Sequence, residues 1–175
     1  MKRIFIILWI SVIILCLLYS ILFIRVYRIS GDSMHPNLKH KTIILTDTLL
    51  PHIWILKRAN IILYKFWDEI RAKRIIGVPW ENIILRDGNI YINSALISEP
   101  YLDSKIKTCA PWSCIDLTEK TYSVPEKSYF VLGDNRENSR DSRGCLDALS
   151  CDENAIYYVP QSNIIGKYIL ALPSF

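Results

Sequence analysis

The chain has 175 residues, 51% of them hydrophobic and 22% charged, with a formal net charge of +4, which suits one compact domain with an appended segment. Its lysines and arginines are scattered among acids and aromatics and form no basic stripe, which speaks against nucleic acid as a partner. His35, His40 and His52 have no carboxylate or cysteine beside them at ligand spacing and make no metal site.

Residues 4–24, IFIILWISVIILCLLYSILFI, carry no charge over 21 positions. As a helix rising about 1.5 Å per residue they span about 30 Å, the thickness of one bilayer core. A cleaved signal peptide would have a shorter apolar core followed by small residues, whereas Arg25, Val26, Tyr27 and Arg28 follow here, so residues 1–28 are expected to be a retained membrane anchor. Lys2 and Arg3 on one side and Arg25 and Arg28 on the other leave its orientation open on charge. Next comes ISGDSMHP, residues 29–36, whose Ser, Gly, Asp and Pro read locally as a turn.

Beyond that turn the pattern changes to period two and predicts short strands at 42–46, 61–66, 73–78, 129–132 and 164–170. Residues 82–93, NIILRDGNIYIN, predict a hairpin, because Asp87-Gly88 suits a primed turn with two positive φ angles. Residues 29–175 are therefore expected to be a mainly β domain, an antiparallel barrel-like or folded sheet, with a surface insertion at 103–120. The apolar residues 49–56, LLPHIWIL, suit either the core or a membrane interface, where Trp54 would sit well.

Cys16 lies inside the apolar segment, while Cys109 with Cys114 and Cys145 with Cys151 form two close pairs in loop-like sequence. An even set in a small domain suggests disulfides, with local pairing the first of three connectivities, and an oxidising compartment. Free thiols or a four-cysteine zinc site are the alternatives, the latter fitting the spacing poorly.

The early histidines are not placed convincingly as a base, so a serine nucleophile here would look to lysine, whose amine must be kept neutral by apolar company. Lys73 qualifies: in a strand it shares a face with Ile75, while Ala72, Arg74 and Ile76 take the other, where Arg74 seeks solvent or a carboxylate, giving one buried amine and one exposed guanidinium. Taken by itself, the Lys-Arg pair reads first as a solvated edge strand. Ser104-Lys105-Ile106-Lys107 fits a Ser-x-x-Lys pattern but has neither of that pattern's partner motifs and is set aside. Residues 133–143, GDNRENSRDSR, can form a self-satisfying network of acids and arginines, with Gly133 allowing a tight turn.

These three stretches, in this order behind an apolar N-terminal segment, closely resemble the bacterial type I signal peptidases, membrane-bound leader peptidases with a Ser-Lys dyad. The serine box is matched by residues 30–38, the lysine box by 73–79 and the last box by 133–143. The resemblance implies Ser33 as nucleophile, Lys73 as general base, Ser139 bonded to the lysine amine to orient it, and Asp141 with Arg143 as a supporting ion pair. Gly31, Ser33 and Met34 would present backbone to the substrate, the Ser33 N–H holding the oxyanion. It further implies cleavage after a small-x-small site through an acyl-enzyme, with no metal, nucleotide or other cofactor. The substrates would be signal-peptide-bearing preproteins emerging from the secretion translocon, and the enzyme would cross the bacterial cytoplasmic membrane once, its catalytic domain on the extracytoplasmic side. The chain departs from the family pattern at Gly31, where some members have serine, at Asn37 for threonine, at Ala59-Asn60 for Gly-Asp and at Trp80-Glu81 for Gly-Asp. Rival readings are a dedicated pilin-maturing relative, a self-cleaving Ser-Lys repressor, which the anchor opposes, and an inactive membrane-tethered binder of signal peptides.

Overall fold

The structure, a computed structural model, describes residues 2–49, 51, 56–109, 119–143 and 157–173. Helix α1 (Lys2–Phe23) is apolar on every side and has no buried residue. Such a helix needs an apolar surrounding to hold its side chains, and it is long and apolar enough to cross a membrane. It passes directly into strand β1 (Ile24–Arg28), which pairs with β2 (Ile43–Asp47) over all five residues. Residues 25–28, expected to belong to the anchor segment, are thus part of the sheet. Two arginines in five residues look like a membrane flank, and only pairing with β2 makes them a strand.

The remaining strands are β3 (Ile61–Phe66), β4 (Glu69–Gly77), β5 (Asn82–Arg86), β6 (Asn89–Ile92), β7 (Ala95–Leu96), β8 (Lys120–Ser123), β9 (Ser128–Leu132), β10 (Val159–Pro160) and β11 (Ile164–Ala171). They build two antiparallel sheets, ordered β1-β2-β11-β3-β4-β9-β10 and β7-β6-β5-β8. The mainly antiparallel β class is as expected, and so is the hairpin β5–β6, with φ of 54° at Asp87 and 75° at Gly88. The strand expected from residue 73 begins earlier, at Glu69, because the β3–β4 hairpin continues to its turn. Strand β8 starts at the edge of the expected insertion, and within that insertion Thr108 is buried, its N–H given to the Gly88 carbonyl.

Among the described residues, three apolar clusters hold the sheets. One packs β5, β6 and β8 against Ile76, Phe130 and Leu132, and a second gathers Ile62, Tyr64, Ile75, Val131 and Ile164. The third, of Ile29, Met34, Leu38, Ile44, Ile61 and Leu63, lies under residues 29–38 and fastens that loop to β2 and β3. Of the four cysteines beyond the helix only Cys109 belongs to the described residues. Cys114, Cys145 and Cys151 lie outside them, so neither expected pair has both members there, and most of residues 49–56 lie outside as well.

Candidate active site

Two elements converge on one cleft of about 590 Å³, lined on one wall by residues 27–34 and on the other by residues 69–73, with Asn138 and Arg140 at its rim. Strand β1 is the outermost strand of its sheet. Strand β4 pairs with β3 from Glu69 onward but meets β9 only from Arg74. Both walls therefore carry a strand edge that has no neighbour among the described residues.

Lys73 projects from β4 and is 3% exposed; its Nζ donates to Ser33 Oγ at 2.6 Å and to the Ala72 carbonyl at 3.1 Å. Burial, more than any neighbouring charge, pushes this amine down to about 8; Asp141 acts against that shift and Arg71 with it. A short bond from an amine titrating near neutrality to a serine hydroxyl is an arrangement that can move a proton off that hydroxyl.

Ser33 is held from below and from the side. Met34, which the sequence reading grouped with the substrate-facing backbone, sends its side chain into the core and is 1% exposed. The Ser33 carbonyl accepts the Asn135 N–H at 3.0 Å, and Asn135 Nδ2 donates to the Asp32 carbonyl at 3.2 Å. Gly31 has φ of +89°, and its N–H donates to His40 Nδ1 at 3.1 Å, a use of His40 that the sequence did not signal.

Gly133 matters for close approach rather than for an unusual torsion. A Cβ there would lie 2.1 Å from Ser139 Oγ and 2.4 Å from the Ser33 carbonyl, so a side chain would push the last box off the serine loop. The Lys73 amine is engaged by Ser33 and Ala72, while Ser139 Oγ lies buried against Gly133 and beside the Asp141 carboxylate, which it helps to hold ionised.

The ion pair expected of Asp141 and Arg143 is present and doubled, with Nε to Oδ1 at 2.8 Å and Nη2 to Oδ2 at 2.9 Å. Burial would raise the Asp141 carboxyl, but the Arg143 guanidinium and the Gly133 N–H, 3.0 Å from Oδ2, outweigh it and hold the group below the usual carboxylate range. Ser142 between them is fully buried and ties the loop to β9, donating its N–H to the Val131 carbonyl and accepting the Val131 N–H on Oγ.

Arg74 takes the carboxylate expected as one of its two partners, and is buried where an exposed guanidinium was expected. It is 8% exposed and grips Asp134 with two bonds of 2.7 and 2.6 Å, because β9 pairs with β4 from Arg74 onward and brings Asp134 over it. Asn37 Nδ2 donates to the same carboxylate at 2.8 Å and to the Tyr101 carbonyl at 2.9 Å. Arg136 pairs with Glu99, which also accepts the Tyr101 hydroxyl. Glu99 and Tyr101 sit far from every motif in the sequence, and no local pattern there could have marked them. The departures at 59–60 and 80–81 occupy two turns with positive φ, 67° at Ala59 and 72° at Trp80, and Arg58 ties the turns together through Glu81 at 2.7 Å.

With this geometry in view, likeness to known proteins is informative. The sequence model of the family described as "Signal peptidase, peptidase S26" matches residues 2–172. The chain is 34% identical over 122 residues to "Signal peptidase I S" of Bacillus subtilis (strain 168), a match spanning 69% of this chain and 66% of that protein. It is 36% identical over 139 residues to "Signal peptidase I" of Bacillus amyloliquefaciens, covering 78% and 74%. A crystal structure of a signal peptidase I from Enterococcus faecalis V583 is 28% identical, with a TM-score of 0.47, over 64% of this chain and 95% of that one. The family match runs through the anchor helix, both cleft walls and the last box without a gap in its bounds, and the chain belongs to the signal peptidase family, peptidase S26.

Proposed function

We propose that this protein is a membrane-anchored serine endopeptidase that removes signal peptides from preproteins, with Ser33 as nucleophile and Lys73 as general base. The observation that carries the reading is the 2.6 Å bond between a buried lysine amine and the Ser33 hydroxyl. The two open strand edges support it further. An extended peptide entering the cleft would find main-chain partners on β1 and on residues 69–73, and its scissile carbonyl would lie where those walls meet the serine loop.

The chemistry follows from the groups present. Neutral Lys73 takes the Ser33 proton as Oγ bonds to the substrate carbonyl carbon, and the Ser33 N–H, which makes no hydrogen bond among the described residues, faces the developing oxyanion. Collapse of the tetrahedral intermediate breaks the peptide bond, and the Lys73 ammonium protonates the departing amine of the mature chain. Water then attacks the Ser33 ester with Lys73 again as base, releasing the signal peptide and restoring the hydroxyl. Asp141 and Arg143 act by holding the loop that carries Gly133 against the serine loop. In this reading α1 anchors the chain in the bacterial cytoplasmic membrane, and the β domain meets preproteins on the extracytoplasmic side as they leave the translocon.

The test is cleavage of a purified secretory precursor by detergent-solubilised protein, with the new N-terminus sequenced. A cut after a small-x-small site that disappears in both Ser33→Ala and Lys73→Ala is the expected result. Unchanged cleavage in either variant, or no cleavage of several general precursors by folded wild type, overturns the reading. The second outcome would turn attention to a dedicated pilin-type substrate or a binding role.

A further inference from the structure

Helix α1 does not hang from the domain as a loose tether. Of its residues 2–22, only Tyr19 is not exposed. Its ring packs on Phe23 with centroids 5.3 Å apart, and its hydroxyl donates to Asp47 Oδ2 on β2. The helix end is fastened at the same place: the Phe23 carbonyl accepts both the N–H and the Oγ1–H of Thr48, each at 3.0 Å, and the Leu49 N–H donates to Asp47 Oδ1 at 2.8 Å. Asp47 itself is 3% exposed.

The register of the sheet gives this fastening a destination. Asp47 stands opposite Lys167, Lys167 opposite Ile62, and Ile62 opposite Lys73. The residue that grips the helix and the residue that grips Ser33 thus occupy one row running straight across β2, β11, β3 and β4. Three strand spacings separate them, about 14 Å of hydrogen-bonded sheet. The bulges in β11 fall on either side of Lys167 and leave this row intact.

We infer that Tyr19 is a positioning residue: its bond to Asp47 fixes the anchor to the row of the sheet that carries Lys73, and so sets the height of the Ser33–Lys73 pair above the bilayer. Resting on the membrane-peptidase reading above, this means that the enzyme measures the distance from a substrate's apolar segment to its cut. A helix free to pivot at the Phe23–Ile24 junction would lose the measure while the cleft stayed intact.

The experiment uses the full chain in nanodiscs of phosphatidylcholine and phosphatidylglycerol, comparing wild type with Tyr19→Phe, which keeps the ring and removes only the hydroxyl. Substrates are single-span precursors in which the spacer between the apolar segment and an Ala-x-Ala site is lengthened or shortened by two residues, beside a short soluble peptide with the same site. Wild type is expected to favour one spacer by about tenfold and Tyr19→Phe to flatten that preference to about threefold or less, a hydrogen bond to a carboxylate being strong enough for such a change. Soluble-peptide kcat/KM should be equal in the two proteins. Amide exchange at Thr48, whose N–H is bonded to Phe23, should quicken in the variant. An unchanged spacer profile, an equal loss on the soluble peptide, or unaltered exchange at Thr48 each overturns the inference. If wild type cleaves nothing, the functional reading fails, and the exchange at Thr48 still decides whether Tyr19 holds the helix.

Discussion

Burying the Lys73 amine beside Ser33 makes its charged form the costly one, with consequences for rate and for stability. Activity on a peptide should rise with pH through about 8 as the amine loses its proton, and a pH profile of kcat/KM reads this directly. Lys73→Arg should be inactive across that range, since a guanidinium stays protonated. For stability, the unfolded chain holds the proton up to the ordinary lysine value while the folded chain releases it near 8, so between these values the unfolded state binds more protons and stability increases with pH. Below pH 8 the full cost is present, roughly 3 kcal/mol. Lys73→Met should therefore be more stable than wild type at pH 6, and denaturant melts should show the gap closing towards pH 10. At Gly133 the crowding is with Ser139 Oγ and the Ser33 carbonyl, so Gly133→Ala should cut activity by about a hundredfold or more, since a small misplacement of reacting groups is that expensive. Ser33 and Lys73 were legible because their boxes are short and local. The neighbours of Ser139 were less legible, since which way a hydroxyl turns depends on atoms brought in by another strand.

Two turns decide whether the departures from the family pattern matter. Ala59 and Trp80 hold φ values of 67° and 72°, where a Cβ costs about 1 kcal/mol or more. Neither turn has opened: Glu81 accepts the Val78 N–H at 2.8 Å, and Asn60 Oδ1 accepts the Lys57 N–H at 3.1 Å. Trp80 is 73% exposed, so little packing would be lost on its removal. Trp80→Gly and Ala59→Gly should each be neutral to stabilising by up to about 1 kcal/mol after the added freedom of the unfolded chain is set against the relieved backbone, raising Tm by about 2 °C with activity unchanged. The loop of Asp141 behaves oppositely. Arg143→Met leaves a buried carboxylate without its guanidinium and should cost about 3 kcal/mol in denaturant melts, with a matching fall in activity. Since the folded Asp141 carboxyl sits below its unfolded value, this contribution is complete above the ordinary carboxylate range and fades as pH falls through the folded one. Strands β3 and β11 could be read from the sequence almost residue for residue, as short apolar runs bounded by turn residues. Strand β1 and the two-residue β7 and β10 could not, because pairing partners define them and no pattern of their own does.

At the scale of the molecule, long-range charge pairing is what the sequence concealed. Arg74, Asp134, Asn37, Tyr101, Glu99 and Arg136 come from four separate stretches, and only the assembled sheets bring them together behind the serine loop. The anchor, the β class and the three boxes were visible in the sequence; the row that joins α1 to Lys73 became visible only through the register of four strands. The cleft has its own bearing on which chains are ever cut. Its walls carry the edges of β1 and of residues 69–73 that are unpaired among the described residues, so on the proposed function an extended segment has main-chain partners on both sides. A segment already folded into a helix or a paired strand has its backbone groups occupied and offers the walls nothing. On the proposed function, selection thus begins with conformation: a nascent chain still extended at the membrane surface can dock, whereas the same residues buried in a finished protein are spared, whatever their small side chains.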